Sequence, residues 1–210
     1  MCPHDKIPSK DYAVIQEVHE MSTVLTSPMT PDDLLRMPDQ GKGYELVDGE
    51  LKEINVSYLS SFVAGRICTR MSTHVDQCNS GWVSPEGTSF QCFPDDPNKV
   101  RRSDTAFHQL DRLTPEQARS EGHCTVVPDL VVEVVSPNDL AYEVNAKRIE
   151  WLDAGAKLVW VIHPEQQTIH AYHADGSVRL FKKGDTLTGE PVLPDFRVPL
   201  EELFRLPAKM

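Results

Sequence analysis

From Thr30 onward, short apolar runs alternate with turn residues in two distinct rhythms. In "MTPDDLLRMPD", Thr30 stands where a side-chain cap belongs, Pro31 suits a first helical position, and Asp32 and Asp33 favour the positive N-terminal end. A short helix is expected there. "YELVDGELKEI" places two alternating runs on either side of Asp48-Gly49, the signature of a hairpin. From Tyr58 to Cys78 there is no proline, and Phe62, Ile67, Met71 and Val75 recur at helical spacing, which predicts a long helix. Strand-like pieces follow around Trp82, around Phe90 and over Thr105 to Phe107. "LVVEVV" then reads as a strand, Pro137 as a break, and Asn138 or Asp139 as the cap of a helix that runs to about Ala154 and stops at Gly155. "KLVWVI" is a second buried strand, and "TIHAYHADGSVRLF" is a hairpin around Asp175-Gly176.

The order is mixed, with a strand, helix, strand crossover at its centre. It predicts an α/β fold with a mixed sheet and peripheral antiparallel hairpins. At 210 residues the chain suits one domain, assigned to residues 29–210. Residues 1–28 have weak periodicity and read as an extension, in which "YAVIQEVHEM" slightly favours a short helix.

The central strand carries a charge in its middle. Alternation puts Asp129, Val131, Glu133 and Val135 on one face and Leu130, Val132 and Val134 on the other, so Glu133 looks into a layer. An unpaired ionised carboxylate there costs several kcal/mol, so Glu133 must be neutral, paired or bound to a cation. For a glutamate taken alone, a structural ion pair is the ordinary reading. The following helix changes that, because Lys147 falls in the same stripe as Leu140, Val144, Trp151 and Ala154. Its stem can snorkel outward or pair with Glu143 one turn earlier; the alternative is that it reaches Glu133. Asp104, in "RRSDTAF", enters another strand. Asp104, Glu133 and Lys147 together make the acid, acid and lysine set of metal-assisted phosphodiester cleavage. Two carboxylates hold Mg²⁺, and the lysine orients a water or stabilises charge on the phosphate.

Composition narrows the classes. An apolar fraction of 40% and a charged fraction of 25% are ordinary for a soluble protein, and no run approaches the roughly 18 apolar residues of a membrane span. With no secretory signal pattern at the N-terminus, a cytoplasmic location is the default. The net charge of −11 opposes broad adhesion to a polyanion, although "NKVRR" at 98–102 offers a local basic strip, or else an ordinary solvated loop. The five cysteines are odd in number and contain no C-x-x-C pair, so most are expected to be reduced and buried. His163, His170 and His173 lack zinc-ligand spacing and are expected at the surface of the late hairpin.

"YELVDGEL", "SDTAF", "PDLVVEVVSP", a lysine in the next helix, "AGAKLVWVIHP", "DGSVRLFKKGDTL" and "LPDFRVPLEELF" together resemble the Uma-two family of restriction-endonuclease-like proteins, within the PD-(D/E)XK nuclease superfamily. The resemblance runs from Met29 to Phe204. It implies a restriction-endonuclease-like core, with Asp104 and Glu133 as metal-binding acids and Lys147 as the catalytic lysine. It further implies that Glu45 is an auxiliary acid and Asp129 a supporting acid near the metal; a plain strand-start role for Asp129 stays open. The superfamily's usual lysine position, two after the acid, is Val135 here, and the first motif reads Ser-Asp in place of Pro-Asp. The implied activity is a DNA endonuclease using Mg²⁺, with Mn²⁺ as substitute, and similar folds commonly act as homodimers. The competing reading is a catalytically silent module that keeps the acids as a buried ionic network and binds nucleic acid or a partner protein.

Overall fold

The computed structural model describes residues 28–207. The helix expected over "YAVIQEVHEM" lies outside the described residues. Helix α1 (Pro31–Arg36) begins on a capping box in which Thr30 Oγ1 accepts from the Asp33 amide at 3.2 Å and Asp33 Oδ2 accepts from the Thr30 amide at 3.1 Å. After a 3-10 turn over Pro38–Gly41, strands β1 (Tyr44–Val47) and β2 (Glu50–Glu53) form the expected hairpin. Its turn is left-handed at both Asp48 (φ 53°) and Gly49 (φ 76°), as a two-residue hairpin turn requires. Helix α2 (Tyr58–Cys78) follows and buries Val63, Ile67, Met71 and Val75 along one stripe.

The remaining elements are β3 (Gly81–Pro85), β4 (Ser89–Phe90), β5 (Arg101–Arg102), β6 (Thr105–Gln109), α3 (Pro115–Ala118), β7 (Leu130–Val134), α4 (Ala141–Asp153), β8 (Leu158–His163), β9 (Thr168–His173), β10 (Val178–Phe181), β11 (Thr186–Gly189), β12 (Leu193–Pro199) and α5 (Leu200–Phe204). Six strands make the central sheet in the order β10-β9-β8-β7-β6-β3. Strands β7 and β8 run parallel, joined by the α4 crossover, and the other neighbours are antiparallel. The mixed sheet with edge hairpins is the predicted class. No helix among the described residues is long and apolar enough to cross a membrane.

Strand alternation divides the core into two layers. Leu130, Val132 and Val134 face α2 with Trp160, Ile162 and Phe196, whereas Val131 faces α4 with Val159, Val161, Phe90 and Trp151. Trp151 is fully buried and meets Phe90 edge-on at 5.5 Å and Phe93 at 5.0 Å between ring centroids.

Local expectations fail where tertiary contacts compete with them. The strand expected at Phe90 does form, outside the main sheet, with Ser89 and Phe90 opposite Arg102 and Arg101 of β5. Neither Asn138 nor Asp139 caps α4: Leu140 occupies the cap position, and the Asp139 carboxylate accepts from the Ser136 amide at 2.7 Å to close the preceding turn. Leu140 is also exposed and leaves the expected apolar stripe. Of the four described cysteines only Cys92 is buried, and Cys78 is exposed. His163, His170 and His173 are half-buried, the first two in edge-on contact at 5.3 Å between ring centroids.

Two glycines give opposite tests of this packing. A Cβ at Gly81 would stand 2.0 Å from the His108 carbonyl oxygen across the β3–β6 ladder, so Gly81→Ala should lower stability by about 1–3 kcal/mol. Gly65 is exposed in mid-α2 with nothing within 4 Å, so Gly65→Ala should raise stability by about 0.5–1 kcal/mol. Urea unfolding midpoints measure both.

Candidate active site

The β6–β7 ladder brings the first two acids together. Thr105 pairs with Val132, and the Asp104 amide donates to the Val132 carbonyl at 3.1 Å. The Asp104 carboxylate Oδ2 then accepts from the Val134 amide at 2.6 Å, taking the place of a backbone partner. Asp104 thereby lies against the segment that carries Glu133. Glu133 itself points into the α4 layer, where Trp151 Nε1 donates to Oε1 at 2.8 Å and Lys147 Nζ lies 2.9 Å from Oε2.

Lys147 neither snorkels outward nor pairs with Glu143. Its Nζ meets Glu133, stands 2.9 Å from Glu45 Oε1, and donates to the Arg102 carbonyl at 2.6 Å. Three acceptors match the three donors of an ammonium. Glu45, on β1, is bound from two further directions, by the Arg102 amide at 2.8 Å and by Arg101 Nη1 at 2.8 Å. Arg101 in turn grips Glu150 through Nε and Nη2 at 2.8 and 2.9 Å, and Lys99 adds a contact of 3.5 Å to Glu150. These groups, except Lys99, line one cleft of about 890 Å³, walled by the β1–β2 hairpin, the segment Ile54–Val56, the start of α2 and the first turns of α4.

Asp129 belongs elsewhere. It shares the Glu133 face but stands four residues back, roughly 13 Å along the strand at about 3.3 Å per residue. It is fully buried; Oδ2 accepts from the Gln109 amide at 2.8 Å, and Lys157 Nζ lies 2.9 Å from Oδ1 as a charge contact. The expectation that Asp129 joins Glu133 at a metal fails on this separation.

The 98–102 strip also differs from both expectations. Lys99 and Arg102 are buried, and Arg101 is nearly so. Arg102 donates through Nε to the Tyr44 carbonyl at 3.0 Å, through Nη2 to those of Gln40 and Gly41 at 3.1 and 3.3 Å, and through Nη1 to that of Gly87. It is a structural clasp, not a solvated loop residue or a surface cation. Glu150 and Trp151 are site residues that the motif reading overlooks. Their spacing of three and four after Lys147 places them on its helical face, a signal present in the sequence.

The electrostatics leave the acids short of positive charge. Burial raises Glu133, Lys147 pulls it back, and Asp104 and Glu45 push it up again, to about 7. Burial likewise carries Asp104 to about 6, against the opposing pull of Lys147 and the Val134 amide. Glu45 ends below its ordinary range, because Lys147 and Arg101 outweigh its burial. Lys147 is raised despite its burial, by Glu133, Glu45 and Asp104. Two carboxyls with raised affinity for protons are two carboxyls that would gain from a cation. Among the described residues no group of three or more His, Cys, Asp or Glu side chains is placed to hold a metal ion. Mg²⁺ does not require one, since it keeps several waters and takes one or two carboxylates plus substrate phosphate. The hard oxygens of Asp104 and Glu133 fit that ion.

The comparisons with known proteins agree with this architecture. No curated protein matches the chain. Among solved structures it is similar to a nuclease, described as putative and as belonging to DUF820, from Anabaena variabilis ATCC 29413, at 18% identity and a TM-score of 0.69, over 84% of this chain and 98% of that one. At that identity the likeness shows the fold. The Uma2 family model, described as "Putative restriction endonuclease", matches residues 31–201. Since that match spans most of the chain, the protein belongs to the Uma2 family.

Proposed function

We propose that this protein is a Mg²⁺-dependent DNA endonuclease that hydrolyses phosphodiester bonds with a metal-activated water. The observation that carries the reading is the placement of two carboxyls, Asp104 and Glu133, on neighbouring segments with the Lys147 ammonium in one open cleft. Asp104 and Glu133 would hold the ion. When bound, Mg²⁺ supplies charge neutralisation at the phosphate and acidifies a coordinated water.

The chain's own residues do the rest. The Val134 amide fixes one oxygen of Asp104, and Trp151 and Lys147 meet the two oxygens of Glu133, so a metal ion there would compete with the Lys147 contact. Lys147, held by Glu45 and the Arg102 carbonyl, keeps a permanent positive charge beside the acids and offsets charge developing on phosphate. Its donors are all engaged, so it acts first through charge. Giving up the Glu133 contact is what frees an N–H for the substrate. Glu45 is a positioning acid for that lysine, with both of its oxygens committed.

One observation favours the silent-module reading: every carboxylate oxygen of Glu133 and Glu45 already meets a donor or cation, as in a closed ionic network. The two readings separate on metal binding.

Cleavage of supercoiled plasmid in Mg²⁺, in Mn²⁺ and in chelator tests the activity. Asp104→Asn, Glu133→Gln and Lys147→Met should each lower the metal-dependent rate by about 100-fold or more, with circular dichroism spectra unchanged. A variant that keeps wild-type turnover removes its residue from the mechanism.

The melting temperature tests the ion. At a metal concentration about 100 times Kd, stabilisation should be about 2.7 kcal/mol, a rise of roughly 5–10 °C for a domain of this size. The shift depends on pH with a definite sign. Both acids bind protons more tightly folded than at their ordinary values of 3.8 and 4.5, so metal must displace protons at pH 6 and far fewer at pH 8. The metal-induced shift should therefore be larger at pH 8. In chelator, the contribution of these two groups is full below their ordinary values and lost as pH rises through 6 to 7, whereas that of Glu45 is lost on acidification. A metal shift of zero at both pH values supports the silent module.

A further inference from the structure

A duplex is gripped mainly through its phosphates, by rows of lysine and arginine. This cleft offers few. Arg101, Arg102 and Lys147 are turned inward onto carboxylates and carbonyls, which leaves Lys42 and Lys52 as the exposed cations of its lining, and Lys52 already pairs with Glu50 at 3.2 Å. Beside exposed acids such as Glu53, Glu86 and Glu143, the lining exposes one aromatic ring and one large aliphatic side chain. Tyr142, on the first turn of α4 and five residues before Lys147, lines the cleft and is 68% exposed. Val56 lines the facing segment at 56% exposure, and Tyr58, at the first position of α2 beside it, is 90% exposed.

A tyrosine ring so exposed at the edge of an acidic cleft has its π-face in water. A base stacked on it would bury both faces, and any base can do so, because every base has one. Bases inside a duplex are already stacked and cannot turn a face outward without unpairing. Scarce phosphate contacts and an exposed ring thus favour the same kind of substrate.

We propose that Tyr142 stacks a nucleobase of an unpaired strand, so that this site takes single-stranded or locally unpaired nucleic acid, with Lys42 meeting its backbone. The inference rests on the nuclease reading of the same cleft and names its substrate class. Tyr142 is a binding residue here and takes no part in the chemistry.

The test is fluorescence anisotropy in chelator, where nothing is cut and no metal contributes, using a labelled mixed-sequence single strand and its blunt duplex. The single strand should bind tighter than the duplex. Tyr142→Ala should weaken single-strand binding about fivefold or more, and Tyr142→Phe, which keeps the ring, should stay within about twofold of wild type. Lys42 alone gives a slope of log K against log salt of about −0.7 on a single strand, and about −1.4 if Lys52 leaves Glu50 to join it. Tighter duplex binding, or unchanged affinity in Tyr142→Ala, overturns the proposal. The plasmid assay keeps the two readings apart. Metal-dependent cleavage lost in Glu133→Gln but with Tyr142→Ala neutral in binding sinks the stacking proposal and leaves the nuclease standing. Ring-dependent single-strand binding with no metal-dependent cleavage of plasmid or single strand does the reverse.

Discussion

A carboxylate on the inner face of a central strand has to be answered by its surroundings, and Glu133 sets that requirement for everything near it. Desolvation of an ion in such a layer costs several kcal/mol unless hydrogen bonds and an opposite charge replace the lost water. Trp151 and Lys147 make that replacement from consecutive turns of one helix, so α4 must lie on the sheet in one rotation about its axis. The T-shaped and tilted contacts of Trp151 with Phe90 and Phe93 then fix where the 89–93 segment runs. Packing of the second core layer and placement of the acid are one constraint.

The compensation is incomplete. Glu45, Asp104, Glu133 and Glu150 face Lys99, Arg101 and Lys147, four carboxyls against three cations, while the guanidinium of Arg102 is spent on carbonyls. The shortfall is not shared evenly. Arg101 and Lys147 satisfy Glu45, and the deficit settles on Asp104 and Glu133, carried by neighbouring segments of the β6–β7 ladder. A network built purely for stability would gain by placing a further cation there or by trading an acid for an apolar group.

Much of this was legible in the sequence because it follows from periodicity. Alternation through "LVVEVV" assigns Glu133 to the α4 layer, and the helical stripe through Trp151 aims Lys147 at it. Asp48-Gly49 and Thr30 announce their turn and cap by residue type alone. What periodicity could not reach was set by distant partners. The same alternation that places Asp129 and Glu133 on one face does not disclose that their burial is offset by different cations, Lys157 and Lys147. Nor does "NKVRR" disclose that it turns inward, since its partners stand at Glu45, Glu150 and three carbonyl-bearing segments remote in sequence. The cap of α4 was misplaced because Asp139 had a nearer amide to satisfy at Ser136.

Arg102 links two parts of the molecule that are usually separable. Its side chain ties the 3-10 turn, β1 and the loop after β3, while its main chain holds Glu45 and Lys147. A guanidinium held in this way counts toward the formal charge of −11 but is not free to reach a phosphate. The framework around the 3-10 turn and the placement of Glu45 and Lys147 are thereby set by one residue, so a shift of the Arg102 side chain carries the two main-chain contacts with it.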